Sequence, residues 1–181
     1  MEAEGTETYL PSDDTSLLIR ALSQLEGGGG GACLEMGFGS GAVLQTLLGR
    51  FSPVIGTDIL GLGQARRAMG RAQVFLADRA TCFRDQQFDV VAFNPPYLPS
   101  DEVRDRAVDG GRGGIEVPGR FLDEALRVVK ASGRVIVLLS DRGDLAAFRA
   151  RCVELGATVR ETARERLFYE TLVVYEVRRP S

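Results

Sequence analysis

Residues 88–97 are Phe-Asp-Val-Val-Ala-Phe-Asn-Pro-Pro-Tyr, a largely apolar run that ends in two consecutive prolines. Proline cannot donate to a sheet ladder and breaks a helix interior, so the run predicts a strand that stops and turns at Asn94. The turn leaves a side-chain amide and the ring of Tyr97 at the carboxyl end of that strand. In an open α/β sheet this edge is where ligands bind. The stretch therefore predicts both a fold class and the position of a site.

Length and composition predict one domain, 1–181, with a single core. The chain has 181 residues and 44% of them are apolar, which is typical of a soluble globular protein. No apolar run approaches the roughly 18–20 residues that span a bilayer. The first seven residues are acidic and lack the basic end and apolar stretch of a signal peptide. We expect a cytoplasmic protein without a membrane partner.

Two features of composition narrow the chemistry. The chain has no histidine, and its three cysteines, Cys33, Cys82 and Cys152, are far apart. This predicts no metal site and cysteines that are reduced and mainly structural. A general base near neutral pH would have to be a carboxylate, lysine or cysteine with a shifted pKa. The composition favours a reaction that needs little acid–base help.

The charge balance bears on nucleic-acid binding. The formal net charge is −3 and the pI is about 5.2, whereas a nucleic-acid groove normally needs a basic face. Arginines cluster at 104–120 and 160–166, but acidic residues are interleaved with them. Solvated charged faces are therefore the favoured interpretation of these clusters.

A glycine-rich turn predicts a nucleoside site. A predicted strand, 32–36, carries Glu35 and runs into Gly37-Phe38-Gly39-Ser40-Gly41, and a predicted helix follows. A second predicted strand, 54–57, ends in Asp58, 17 residues beyond Gly41. Such a turn lets the backbone approach a nucleoside closely, and an acidic residue at the end of the second strand can accept from both ribose hydroxyls. The spacing alone leaves open whether the cofactor is a dinucleotide or another nucleoside.

Glu35 separates these possibilities. A carboxylate ahead of the glycines disfavours a pyrophosphate and suits a cation, such as the sulfonium and ammonium groups of S-adenosylmethionine. A third predicted strand, 73–77, ends in Asp78, whose carboxylate could accept from an adenine amine. An ordinary polar residue at a strand end is the equally open alternative for Asp78.

The remaining pattern completes a Rossmann-like α/β fold. We predict a mostly parallel seven-stranded sheet that is flanked by helices and ends in an antiparallel hairpin. The glycine-rich segment 98–118 predicts a loop over the site or a disordered insertion. The further predicted elements are helices at 13–26, 61–72, 119–131 and 143–155, and strands at 134–140, 157–166 and 168–178.

These motifs, in this order, resemble class I S-adenosylmethionine-dependent methyltransferases that methylate planar amines or amides. The resemblance rests on Glu35-x-Gly-x-Gly-x-Gly, Asp58, Asp78 and Asn-Pro-Pro-Tyr97, and it covers nearly the whole chain. Within that branch the chain is most similar to HemK-type release-factor glutamine methyltransferases in their short archaeal and eukaryotic form. Three further matches are Tyr9-x-Pro-x-x-Asp-Thr15, Gly110-Gly-Arg-Gly-Gly-Ile-Glu116 and Glu170-Thr-Leu172.

The resemblance implies a reaction and partners. It implies N5-methylation of the glutamine in the Gly-Gly-Gln motif of a class I peptide release factor, with S-adenosylmethionine as donor. It also implies a small zinc-binding activator subunit that forms a heterodimer by covering an apolar sheet edge, which we place around 74–76. The separate N-terminal docking domain of the bacterial members has no counterpart ahead of Tyr9.

The resemblance also implies roles for the motif residues. The Asn94 side-chain oxygen and the Pro95 carbonyl would each accept an N–H of the substrate amide, and Tyr97 would stack on its plane. For the cofactor, the residues implied are Glu35 at the methionine ammonium, Gly37 and Gly39 beneath the cofactor, Asp58 at the ribose, Asp78 at the adenine, and Tyr9, Pro11 and Thr15 at its mouth, together with Asn94.

Two alternatives use the same motifs. An adenine-N6 or cytosine-N4 nucleic-acid methyltransferase would satisfy the same tetrapeptide. Against it stand the acidic balance, the lack of a target-recognition domain and a chain too short for base-flipping machinery. A catalytically silent binding scaffold is the other alternative, which the intact tetrapeptide and glycine turn disfavour.

Overall fold

The structure of the protein is a computed structural model that describes residues 13–26, 30–59, 70–102, 105 and 107–180. Tyr9 and Pro11 lie outside the described residues, as does most of the helix predicted over 61–72. For these residues the expectations stand as predictions.

The described elements begin with a helix and end with two consecutive strands, as the sequence predicts. The helices are α1 (Asp13–Ser23), α2 (Ala42–Leu48), α3 (Glu116–Val128) and α4 (Leu145–Glu154). The strands are β1 (Cys33–Met36), β2 (Val54–Asp58), β3 (Gln73–Leu76), β4 (Phe88–Phe93), β5 (Leu98–Pro99), β6 (Asp109–Gly111), β7 (Val129–Ser140), β8 (Thr158–Arg166) and β9 (Thr171–Arg178).

The main sheet confirms the predicted architecture. It has seven strands in the order β3-β2-β1-β4-β7-β9-β8. β1 to β4 and β7 run parallel, while β9 is antiparallel to both β7 and β8. The chain order reverses at β1, so β1 and β4 diverge at a topological switch point, which is where α/β sheets open a crevice. The glycine turn after β1 and Asn94 after β4 therefore lie beside each other.

The sheet is buried on both faces. One apolar cluster joins α1 and α2 to the sheet through residues such as Leu18, Leu44 and Val90. The other joins α3 and α4 through Leu122, Phe148 and Phe93. Because helices cover both faces, the central strands are nearly continuously apolar, as parallel strands in such a sheet require.

The helix predicted over 119–131 is displaced. α3 begins earlier, at Glu116, and ends at Val128, and the chain passes directly into β7. Gly133 does not cap a helix. It lies in an irregular stretch of β7, where an added Cβ would be 2.7 Å from the Val129 Cγ2 and 2.8 Å from the Asp89 carbonyl oxygen. Helical periodicity could not distinguish Val129 in a helix from Val129 in a buried strand.

The segment 98–118 is partly structured. β5 pairs with β6, and the Leu98 N–H donates to the Val108 carbonyl at 3.0 Å. A single 3₁₀ turn, Arg112–Gly114, then leads into α3. The described part of this segment thus folds back on the turn that follows β4 and does not form an open insertion.

No helix among the described residues is long and apolar enough to cross a membrane. The described cysteines are all free thiols, with Cys33 and Cys152 buried and Cys82 exposed.

Candidate functional site

Two adjoining cavities open along the carboxyl edge of the parallel strands. Each encloses about 530 Å³. They share Gly37, Gly39, Asn94, Pro96 and Ala107, so together they form one cleft over β1 and β4. This is the edge that the sequence predicts. We name the cavities after the ligands that the sequence predicts. The cavity beside α1, where the methyl acceptor is expected, is the acceptor cavity, and the one beside β2 and β3 is the nucleoside cavity.

The glycine turn forms the floor between the two cavities. Gly37, Gly39 and Gly41 have φ values of 74°, 47° and 80°, a region that favours glycine. The Gly37 N–H donates to the Thr57 carbonyl at 2.7 Å, and the Gly39 N–H donates to the Asp58 Oδ2 at 3.0 Å. These bonds tie the turn to the end of β2 and hold its backbone open to the cleft.

Glu35 is a buried carboxylate at the acceptor cavity. Its side chain is 5% exposed, and its Oε2 has no hydrogen-bond partner among the described residues. Burial raises the pKa of Glu35 well above its ordinary value, although the Leu44 N–H lowers it, and the nearby Asp58 charge raises it further. A buried carboxylate oxygen without a hydrogen-bond partner is costly. A cation placed beside Glu35 would remove that cost.

Asn94 is held in one orientation. Its Nδ2 donates to the Asp14 Oδ2 at 2.7 Å across 80 residues of sequence. A carboxylate can only accept in this pair, so the side-chain amide must direct its nitrogen toward Asp14. The Asn94 Oδ1 is then buried at the cleft without a partner among the described residues. The acceptor cavity therefore carries a fixed hydrogen-bond acceptor that still needs a donor.

The glycines of the 110–114 segment support the turn at 94–97. An added Cβ would be 2.7 Å from the Tyr97 Cα at Gly110 and 2.3 Å from the Tyr97 carbonyl oxygen at Gly114. Only glycine permits so close an approach of two backbones. The glycine-rich segment thus fixes the position of the Tyr97 backbone, and the Tyr97 residue lines the acceptor cavity.

The nucleoside cavity carries the two further acidic residues of the sequence analysis. Asp58 and Asp78 both line it, at the ends of β2 and β3. One Asp78 oxygen pairs with the Arg79 Nη2 at 2.9 Å, and the Asp78 side chain is 55% exposed. Asp78 therefore lines the nucleoside cavity beyond the end of β3, with one carboxylate oxygen already engaged by Arg79.

The structure brings together the described residues that the sequence predicts for the site. Residues 35, 37, 39, 94, 95 and 97 and Thr15 line the acceptor cavity, and Asp58 and Asp78 line its neighbour. Sequence reasoning missed two contributions: the Asp14 bond to Asn94 and Glu170 in the acceptor cavity. Ala107 and Val108, which also line this cavity, belong to the segment 98–118, predicted to lie over the site. Asp14 and Glu170 belong to two of the motifs that carry the family resemblance, so the sequence indicated that they matter. It could not indicate the direction of their side chains.

The sheet order, the glycine turn after β1 and the acidic strand ends define a class I S-adenosylmethionine-dependent methyltransferase. Methyltransferase HEMK2 of Mus musculus is 33% identical over 147 residues, which cover 70% of this chain and 69% of that protein. The chain belongs to the HemK-type glutamine methyltransferase family.

Two further relatives agree with this. A release factor glutamine methyltransferase of Rhodospirillum rubrum is 32% identical over 162 residues and 78% of this chain, although the chain spans only 49% of that protein. The methyltransferase in the E. cuniculi Mtq2–Trm112 complex, described as methylating the eRF1 termination factor, superposes with a TM-score of 0.80 at 29% identity and covers 94% of this chain and 98% of its own. No protein-family model matches the chain.

Proposed function

We propose that the chain transfers a methyl group from S-adenosylmethionine to the side-chain nitrogen of the glutamine in the Gly-Gly-Gln motif of a class I peptide release factor. The observation that best supports this proposal is the orientation of Asn94. Asp14 holds its Nδ2 at 2.7 Å, and its Oδ1 has no hydrogen-bond partner among the described residues. A carboxamide substrate supplies the missing N–H donor.

The residues of the cleft fit the donor molecule. The buried Glu35, whose Oε2 has no partner among the described residues, fits a cation, and the glycine turn leaves its backbone accessible beside Asp58. Glu35 would hold the ammonium group, Asp58 the ribose hydroxyls and Asp78 the adenine amine, with Thr15, and by resemblance Tyr9 and Pro11, at the mouth. When bound, S-adenosylmethionine supplies an electrophilic methyl group on a sulfonium.

The chain's own residues orient the substrate's carboxamide nitrogen, which is a poor nucleophile. The lone pair of a carboxamide nitrogen is delocalised into its carbonyl, so the nitrogen reacts only when it is held in line with the methyl group. Asn94 Oδ1 and the Pro95 carbonyl each accept one N–H of the substrate, and Tyr97 packs on the amide plane. As the N–C bond forms and the S–C bond breaks, positive charge develops on nitrogen, and these oxygens stabilise it. The extra proton leaves to water afterward, so no histidine is required.

Charge supports a protein amide over a nucleotide as the acceptor. The charged residues that line the acceptor cavity in the described part of the chain are Asp14, Glu35 and Glu170, all acidic. In the nucleoside cavity, Arg79 pairs with Asp78, and Arg120 pairs with Glu116 at 2.7 Å. A phosphodiester chain entering this cleft would face carboxylates. A neutral glutamine side chain does not.

A small zinc-binding activator on the outer edge of β3 completes the proposal. β3 is an edge strand of the main sheet, with Phe75 42% exposed and Leu76 61% exposed. The structurally similar Mtq2 forms a complex with Trm112. An edge strand with exposed apolar side chains is suited to burial by a partner. The complex would act in the cytoplasm, where translation terminates.

Mass spectrometry of the substrate tests the proposed function. The chain, co-expressed with a Trm112-type activator, is incubated with S-adenosylmethionine and a class I release factor. We expect one added methyl on the Gly-Gly-Gln glutamine, and none when that glutamine is replaced by glutamate or when the enzyme carries Asn94→Ala. The proposal would be overturned by methylation at another residue, or by an Asn94→Ala enzyme that methylates the glutamine at the wild-type rate.

A further inference from the structure

The tip of the β8–β9 hairpin projects over the same sheet edge as the cleft. Arg166 pairs with Thr171 at the end of β8, and Leu172 pairs with Ser140, the last residue of β7. The Leu167 N–H donates to the Glu170 carbonyl at 2.8 Å and closes a connection of Phe168 and Tyr169. Because β7 runs parallel to β4, its carboxyl end and this tip lie on the side of the sheet that bears Asn94.

Two aromatic rings occupy this tip and face solvent. Phe168 is 90% exposed and Tyr169 is 81% exposed, more than any other large apolar residue that the structure describes. Their ring centroids are 4.7 Å apart at 83°, an edge-to-face pair. Neither ring belongs to the clusters that pack the sheet faces. The pair therefore contributes nothing visible to the core and offers apolar surface to a partner.

The residue that follows the pair enters the cleft. Glu170 lines the acceptor cavity, and its Oε2 is buried without a hydrogen-bond partner among the described residues. A carboxylate in this state needs an N–H donor or a cation. Helix α1, which also lines this cavity, is joined to the hairpin, because Arg20 of α1 pairs with Glu165 of β8 at 2.5 Å. Glu170 and α1 thus line the same acceptor cavity, and Phe168 and Tyr169 directly precede Glu170 in the chain.

We propose that this tip docks the polypeptide segment that carries the acceptor glutamine. Phe168 and Tyr169 cover the segment beside the glutamine, and Glu170 accepts a main-chain N–H from a flanking residue. This inference rests on the proposed function. A glutamine side chain reaches only about 5 Å from its Cα, so the main chain of the substrate must lie close to the cavity that Asn94 and Glu170 both line. Glycines beside the glutamine leave the main-chain N–H groups accessible to a carboxylate.

The position of the tip also argues for this occupant over an activator. The other exposed apolar residues of a strand, Phe75 and Leu76, lie on β3 at the far edge of the main sheet, five strands away from β9. One partner can therefore cover β3 while the tip stays free for substrate. The two apolar surfaces then serve two different proteins.

Steady-state kinetics of the activator complex test this inference. We expect Phe168→Ala/Tyr169→Ala to raise the KM for the release factor by about 10-fold or more, because such aromatic contacts are frequent hot spots. The kcat at saturating release factor and the Kd for S-adenosylmethionine should stay at wild-type values. Glu170→Ala should raise the same KM, and Glu170→Gln, which keeps an acceptor oxygen, should raise it less. Val153→Ala, a truncation of a residue 68% exposed on α4, is the control.

The outcomes separate the two proposals. If the wild-type complex methylates the release factor and the tip variants keep its KM, the docking role is refuted while the proposed function stands. If the wild type methylates no release factor, both fail. If the tip variants instead lose the activator or change the oligomeric state in multi-angle light scattering, the tip belongs to that interface and the substrate role is overturned. Thermal denaturation of each variant, expected at the wild-type Tm because the rings are exposed, excludes misfolding as the cause of a raised KM.

Discussion

At the level of single residues, Asp14 sets the orientation of Asn94. Since its carboxylate holds the Asn94 Nδ2 at 2.7 Å, we expect Asp14→Ala to free the amide to rotate and present nitrogen where oxygen is needed. The kcat should fall by about 10- to 100-fold, the range of a lost orienting contact. Asp13→Ala is the matched control, because Asp13 lies in the same first helical turn but is exposed and does not line the cleft.

A reciprocal exchange sharpens this prediction. Asn94→Asp alone should place two carboxylates against each other and reduce kcat. Asp14→Asn combined with Asn94→Asp restores the hydrogen bond with donor and acceptor exchanged and leaves an oxygen at the cleft. Recovery in the double variant, measured as a coupling energy in a double-mutant cycle, would support the positioning role. Strictly additive losses would contradict it.

Glu35 makes cofactor binding depend on pH. Burial raises the pKa of Glu35 in the free protein, and a bound cation favours the ionised form and so lowers that pKa. The bound complex therefore holds fewer protons than the free protein between these two pKa values. The affinity for S-adenosylmethionine should rise with pH across that window and level off above the raised pKa, with proton release visible by calorimetry in buffers of different ionisation enthalpy.

The same residue affects stability with the opposite sign. The folded-state pKa of Glu35 lies above its unfolded value, so the free protein gains stability from this group at low pH and loses it as pH rises through the folded pKa. Glu35→Gln should abolish this loss, raise the Tm of the free protein near neutral pH and remove the pH dependence of binding. If the affinity for S-adenosylmethionine had the same pH profile in the wild type and in Glu35→Gln, Glu35 would not face the bound cation.

At the level of elements, the glycine segment before α3 acts as a support for the turn after β4. We expect Gly114→Ala to destabilise the protein by about 2–4 kcal/mol, since its Cβ would lie 2.3 Å from the Tyr97 carbonyl oxygen and its φ is 68°. Gly113→Ala is the matched control. Its φ of 65° is similar, but the nearest atom to an added Cβ is 4.0 Å away, so only about 1–2 kcal/mol of backbone strain applies.

The difference between these two variants isolates the close approach from the backbone strain. Urea denaturation gives the two free energies of unfolding, and kcat at saturating substrate reports the displacement of Tyr97. Equal stability losses and equal kcat values for both variants would mean that the contact between this segment and Tyr97 is dispensable.

The outer edge of β3 is the element we assign to an activator. We expect Leu76→Asp to abolish co-purification with a Trm112-type subunit, because it places a charge in the apolar surface to be buried. Val153→Asp makes the same change at a comparably exposed apolar site on α4 and should leave the complex intact. Size-exclusion chromatography of the co-expressed pairs distinguishes the two, and an intact complex with Leu76→Asp would exclude this edge.

At the level of the whole molecule, the sequence predicts the sheet well, and it predicts which motif residues of the described chain lie together at the carboxyl edge of that sheet. Both follow from local rules: strand-terminating prolines at 95 and 96, left-handed glycines at 37 and 39, and carboxylates at strand ends. What it does not predict depends on contacts distant in sequence. The bond from Asp14 to Asn94 joins residues 80 apart, and the packing of 110–114 on Tyr97 gives those glycines a role that their composition alone leaves open.

The overall charge of the molecule bears on the proposed choice of substrate. With a formal net charge of −3 and an acceptor cavity whose charged lining residues in the described chain are acidic, we expect no methyl transfer to DNA or RNA. Labelled S-adenosylmethionine, the activator complex and single- or double-stranded oligonucleotides test this directly. Oligonucleotides in excess should also leave the rate on the release factor unchanged at low salt, where electrostatic binding to nucleic acid is strongest. Incorporation of label into adenine or cytosine, or competition that disappears as salt is raised, would show that a nucleic acid enters the cleft despite these carboxylates.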